Sequence, residues 1–161
     1  MTSSTAVLSG RLDFFQNPKA DANLVYGPQR QAMLSVAKGE QALEMISTWP
    51  NYQVTDLHLL TSMAEQANIR QIYYKDESTR FGLKSFKALG GAYAVTQFLQ
   101  QHLGQLNGEK PTMVQLLSGQ YKEQLKDVVV SCATDGNHGR SVAWGAQMFG
   151  CQCIIYIHRD V

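Results

Sequence analysis

The sequence predicts an α/β protein in which parallel strands alternate with covering helices. Two observations carry this. Over residues 128–157 an apolar run, a helical period with Val142, Ala146 and Phe149 at i, i+4 and i+7, the stop Gly150 and a second apolar run follow in order. That order is a β-α-β unit, whose strands are parallel. Upstream, the β-branched and aromatic run at 69–74 precedes another helical period from Phe86 to about His102, again strand then helix. At 161 residues the chain suffices for one core, since a chain of roughly 150 residues removes about 70% of its unfolded surface on folding.

Taken in order, residues 1–27 contain Asn17-Pro18 and Gly27-Pro28, breakers that predict an irregular arm with at most a short strand over 12–15. Apolar positions Met33, Val36, Ala37, Ala42, Leu43 and Ile46 recur at helical spacing, predicting one or two helices interrupted near Gly39 and ended by Trp49-Pro50-Asn51. A helix is expected over 57–67 and a strand over 69–74, closed by Lys75-Asp76-Glu77. Ser85 is the expected N-cap of the helix over 86–102, with Phe86, Leu89, Tyr93 and Phe98 as its buried stripe. Asn107-Gly108 marks a turn, and 112–124 a short helix with a polar connection. Strands over 128–131 and 153–157 flank a helix over 138–149. The second strand ends four residues before Val161, with no helix after it to cover its face, so the sequence predicts part of a longer α/β chain.

Composition narrows the partners. With 14 basic and 13 acidic residues, spread without runs, the net charge is +1, which gives no electrostatic footprint for nucleic acid or an anionic membrane. No stretch approaches the roughly 18 apolar residues of a membrane span, and the amino terminus lacks the pattern of a secretory leader. A small-molecule partner and a cytoplasmic setting are expected. Cys132, Cys151 and Cys153 are odd in number and lack C-x-x-C spacing, so they are read as reduced thiols and no metal site is expected.

Two segments carry chemistry. In "SCATDGNHGRSVAW" (131–144) an acid, two glycines, an amide and an imidazole fall between strand and helix, where open α/β sheets hold their ligands. Gly136 and Gly139 permit close approach or positive φ, the free amides opening the helix favour an acceptor or anion, and Asn137 adds a side-chain amide. Read alone, the turn fits equally a Gly-rich connection with Asp135 or Asn137 as a mere cap. No nucleotide-binding glycine motif occurs, and His138 receives no catalytic role. In "KDESTRFGLKSFKALGGAY" (75–93), Lys84 and Lys87 lie near a helix start, where the dipole disfavours a cation and favours the neutral amine that attacks a carbonyl. Lys87 is flanked by Phe86, Ala88 and Leu89, an apolar setting, whereas Lys84 is expected in solvent. Taken singly, both lysines also fit ordinary surface positions.

Together the segments resemble the fold-type II pyridoxal-phosphate enzymes, the superfamily of the tryptophan synthase β-subunit and threonine dehydratase. Those enzymes place a lysine in an S-F-K segment and, about fifty residues later, an S-x-G-N-H-[AG] turn. Ser85-Phe86-Lys87 and Asp135-Gly136-Asn137-His138-Gly139 match both in order. Over about 52–157 the chain is similar to the diaminopropionate ammonia-lyases in particular; one departure is Thr55-Asp56-Leu57, where the superfamily commonly has T-P-L.

The resemblance implies a fold-type II architecture, incomplete here, with 1–88 as an arm and the first part of the large domain and 89–161 as part of the small β-α-β domain. It implies pyridoxal 5'-phosphate as cofactor, Lys87 as its Schiff-base lysine, Asn137 against the ring oxygen and Gly136 beside the cofactor, with Gly90-Gly91 letting the helix sit close to its neighbours. It further implies an amino-acid substrate, 2,3-diaminopropionate, whose α,β-elimination yields pyruvate and two ammonia, with Lys87 and Asp135 as bases on opposite faces for the two stereoisomers. A homodimer is implied for the full-length form. No candidate for the superfamily's Gly-rich phosphate cradle precedes Val161. A serine or threonine dehydratase of the same fold and an inactive truncated product are the other readings, and Asp135 stands against the first.

Overall fold

A computed structural model describes residues 15–160, which fall into two compact units divided between Ser35 and Val36. The expected strand over 12–15 lies, for residues 12–14, outside the described ones. In the first unit, helix α1 (Pro28–Met33) opens on a proline, where the missing N–H has no helical partner to lose. The Tyr26 hydroxyl donates to the carbonyl of Leu34 at 2.7 Å and fastens its far end.

The second unit begins with helix α2 (Val36–Ser47). The helical stretch breaks at Leu34, whose backbone is extended, and runs straight through Gly39, because one glycine in a helix costs only about 1 kcal/mol. The expected helix over 57–67 is corrected. Strand β1 (Leu57–Leu59) comes first and only then helix α3 (Thr61–Gln66). β1 pairs antiparallel with strand β2 (Tyr73–Lys75), so the cross-strand ladder overrides the weak helical period at Leu57-His58-Leu59. The run at 69–74 thus yields a strand only at its end.

A 3-10 turn at Arg80–Gly82 leads into helix α4 (Lys87–Asn107), closed by Gly108 in the left-handed conformation. Its buried face is Ala88, Gly91, Ala92, Val95, Thr96, Leu99 and Leu103. Phe86 and Phe98, expected in that stripe, are exposed, whereas Leu89 and Tyr93 pack at its margin. Small residues replace large ones because a second helix lies too close for aromatic rings. Two short helices follow, α5 (Met113–Leu117) and α6 (Lys122–Leu125). α5 starts from a reciprocal capping box between Thr112 and Gln115.

The predicted β-α-β unit is present as strand β3 (Val129–Ala133), helix α7 (Asn137–Phe149) and strand β4 (Gln152–Tyr156). β3 and β4 are parallel, with Val130 opposite Cys153 and Cys132 opposite Ile155. Val142, Ala146 and Phe149 are buried as expected, and Gly150 ends α7 with φ 81°. The main core joins Val95, Leu99, Leu103, Leu116, Leu125, Val142 and Phe149, so α4 and α7 form its centre.

Candidate functional site

The packing of α4 on α7 sets the site. Contacts advance along both helices in the same sense: Lys87 and Gly91 meet Ser141, and Ala92 and Val95 meet Gly145. The two helices therefore run side by side with their amino-terminal ends together. Since α7 follows β3 directly, that shared end lies at the carboxyl edge of the parallel pair, where ligands of α/β sheets are held.

Glycine permits close packing at three places, two of them between α4 and α7. A Cβ on Gly91 would overlap the Ser141 hydroxyl, and one on Gly145 would stand 2.9 Å from the Ala92 backbone. One on Gly139 would meet Thr134 Cγ2 at 2.8 Å and Ile155 Cγ2 at 3.1 Å, so Gly139 lets the start of α7 press onto the strands. Gly90 faces open space, and the close contact expected of Gly90-Gly91 belongs to Gly91 alone. Gly136 has φ −163°, extended rather than left-handed, with open space beside it.

Lys87 is the first residue of α4, and its backbone N–H donates to Ser85 Oγ at 3.2 Å. The expected N-cap at Ser85 is corrected: α4 begins one residue later than expected, Phe86 takes the N-cap position without a side-chain cap, and Ser85 makes only this local bond across two residues. The apolar setting expected for Lys87 is corrected: Lys87 and Lys84 are both exposed, because α4 turns Ala88 inward and Phe86 and Lys87 outward. The Lys87 carbonyl accepts a hydrogen bond from Ser141 Oγ at 2.6 Å, a link between α4 and α7 that spacing along the sequence did not reveal.

Asp135 and Gly136 lie in the turn from β3 to α7, Asn137 is the first residue of α7, and all three are exposed. Thr134 N donates to the Tyr156 carbonyl at 2.9 Å, fastening the turn to the end of β4. Arg140 N donates to the Gly136 carbonyl, which leaves the amides of Asn137, His138 and Gly139 outside the helical ladder. A cleft of about 410 Å³ opens here, lined by Ala133, Thr134, Asp135, Tyr156, Ile157 and His158. Lys87, at the start of α4, does not line it. Among the described residues none bonds the side chains of Lys87, Asp135 or Asn137, so an amine, a carboxylate and an amide are all open to a ligand.

A polar knot holds the segment before Lys87. Arg80, buried, donates from Nε to Glu77 Oε2 at 2.7 Å, from Nη1 to the Gln53 carbonyl at 2.7 Å and from Nη2 to Thr55 Oγ1 at 3.1 Å. Thr55 Oγ1 donates to Glu77 Oε1 at 2.6 Å. Hydrogen bonds from Arg80 first, then from Thr55, bring the Glu77 pKa down to about 2. The Thr55-Asp56-Leu57 departure therefore lies where Thr55 is engaged with Arg80 and Leu57 opens β1. Between Arg80 and Lys87 the backbone is left-handed at Phe81, Gly82 and Lys84, and Phe81 stacks on Trp144 of α7 with centroids 4.6 Å apart.

Residues 48–161 match the family model described as pyridoxal-phosphate dependent enzyme. The chain is 40% identical over 126 residues to the diaminopropionate ammonia-lyase of Salmonella typhimurium strain LT2, covering 78% of this chain and 31% of that protein. It is 33% identical over 139 residues to the diaminopropionate ammonia-lyase of Escherichia coli K12, covering 84% and 33%. The crystal structure of the Escherichia coli enzyme in complex with an aminoacrylate-PLP azomethine reaction intermediate superposes with a TM-score of 0.61 at 35% identity, covering 76% of this chain and 29% of that one. The chain thus spans about a third of the length of the relatives it matches.

Proposed function

Because the chain belongs to the pyridoxal-phosphate dependent enzyme family, we propose that it carries the lysine-bearing part of an ammonia-lyase acting on 2,3-diaminopropionate. The observation that supports this best is the shared end of α4 and α7, where the bond from Ser141 to the Lys87 carbonyl holds the start of α4 against the helix that follows the turn at 135–139. The groups there fit pyridoxal 5'-phosphate. Lys87 offers an exposed amine for the cofactor's aldehyde, Asn137 an amide for its ring oxygen, and Gly136 an open approach with no Cβ in the way. When bound, that cofactor supplies an electron sink for the carbon that loses its proton.

The residues divide the remaining work. Lys87 takes the α-proton on one face of the substrate, and Asp135, at the cleft mouth, takes it on the other, so that D and L isomers are both processed. The β-amino group leaves as ammonia, and hydrolysis of the unsaturated product gives pyruvate and a second ammonia. Similarity to two lyases of this name and to an enzyme crystallised with aminoacrylate supports the substrate class. In the same reading the whole protein is a cytoplasmic homodimer. Residues 1–88 form its arm and the first part of its large domain, 89–161 part of its small domain, and the phosphate cradle comes from outside this chain.

The test is chemical. Pyridoxal phosphate is added to the full-length protein, the product is reduced with borohydride, and the modified peptide is identified by mass. Attachment at Lys87, lost in Lys87→Ala and kept in Lys84→Ala together with ammonia release, is the expected result. Equal loss in both variants overturns the assignment.

A further inference from the structure

We propose that Ser141 is a positioning residue for Lys87, setting the register of α4 against α7 and so the place from which the amine works. This rests on the reading of Lys87 as the lysine that holds the cofactor. Ser141 is wholly buried in the second turn of α7. A serine there ordinarily turns its hydroxyl back onto the carbonyl four residues earlier in its own helix. Here it reaches across to the Lys87 carbonyl at 2.6 Å. That carbonyl belongs to the first residue inside α4 and has, beside its helical donor, a second lone pair free for the extra donor.

Gly91, one turn along, admits the hydroxyl: a Cβ there would overlap Ser141 Oγ. The bond is therefore made at one alignment of the two helices. Slipping either along the other would strand a buried hydroxyl or drive it into Gly91, and the loss of a buried partner is costly. Because α7 also carries Asn137 and follows Asp135 directly, the same bond ties the lysine to the turn that is to meet the opposite side of the ligand. Lys84, immediately before Ser85 in the left-handed loop, has no such tie.

Two variants of the full-length protein separate the bond from the packing. Ser141→Ala removes the hydroxyl and leaves no unpaired group, since the Lys87 carbonyl keeps its helical donor. Gly91→Ala combined with Ser141→Gly exchanges the hydroxymethyl on one side of the seam for a methyl on the other; the two Ser141 side-chain atoms that a Cβ at Gly91 would overlap are then gone, and the Val142 backbone nitrogen lies 3.3 Å from it. Each is exposed briefly to pyridoxal phosphate. The Lys87 amine adds to the aldehyde carbon with loss of water, borohydride reduces the imine to a stable amine, and the label is counted at Lys87 and Lys84. Labelling at Lys87 is expected to fall about threefold to tenfold in both variants, the range of one neutral hydrogen bond, with Lys84 unchanged and Ser141→Thr or Ser141→Cys recovering part of the loss. Unchanged labelling at Lys87, or an equal fall at Lys84, overturns the proposal. Failure of the unsubstituted protein to label at Lys87 overturns the reading on which it rests.

Discussion

Glu77 is held ionised by two donors, and its pKa of about 2 against the ordinary 4.5 has a consequence with a sign. A carboxylate whose folded value is depressed binds its proton more weakly when folded, so its stabilisation is complete above pH 4.5 and drains away as pH falls toward 2. Unfolding by urea at several pH values should show that loss in the native protein and a flatter profile in Glu77→Gln. Glu77→Ala, which leaves buried Arg80 without its carboxylate, should cost about 3 kcal/mol at neutral pH by the same measurement. Asp135 has a different test. If it serves one face only, Asp135→Asn should abolish turnover of one stereoisomer of diaminopropionate and spare the other, because the amide keeps the shape and cannot accept the proton. Parallel loss of both would make the residue structural. The order and spacing of Lys87, Asp135, Gly136 and Asn137 were legible in the sequence because a motif is local. The bond from Ser141 to Lys87 and the knot of Thr55, Glu77 and Arg80 were not, since each joins residues that only tertiary contact brings together.

At the level of elements, the unit β3-α7-β4 was legible because its apolar period and the stop at Gly150 agree with each other. β1 was hidden by its length: three residues alternate too briefly to outweigh a helical period. In α4 the helix itself was predicted, while its buried stripe was misread toward Phe86 and Phe98, since which face is buried depends on how near the neighbouring helix lies. Two glycines test that account. Gly145→Ala sets a Cβ 2.9 Å from the Ala92 backbone, which cannot yield as a side-chain end could, so about 1 to 3 kcal/mol of stability should be lost. Gly90→Ala meets open space and should add about 0.5 to 1 kcal/mol, the usual gain of alanine over glycine in a helix. Thermal unfolding of the two variants side by side distinguishes a tight seam from a general intolerance of substitution in the helices that form it.

Across the whole molecule, apolar side chains remain on the face of the parallel pair away from α7. Ile154 is 45% and Tyr156 62% exposed. An uncovered sheet face invites association, and sedimentation of the isolated 161 residues should show self-association that rises with concentration. Without backbone donors for the phosphate group, each worth about 1.5 to 3 kcal/mol with a charged acceptor, the same isolated chain should hold pyridoxal phosphate weakly and release no ammonia from diaminopropionate. Sustained, Lys87-dependent release would refute the division of labour proposed above. The side-by-side course of α4 and α7 also governs how the molecule comes together in time. α4 climbs about 30 Å away from Lys87, and the chain must return that distance through α5 and α6 before α7 can start beside it. Ser141 and Lys87 are 54 residues apart, so their meeting has to wait for a long loop to close, an entropic toll exacted before any contact rewards it. α4 can wind from its own local contacts, but its amine acquires its address only when that loop shuts, which makes the reactivity of Lys87 a late marker of folding rather than an early one.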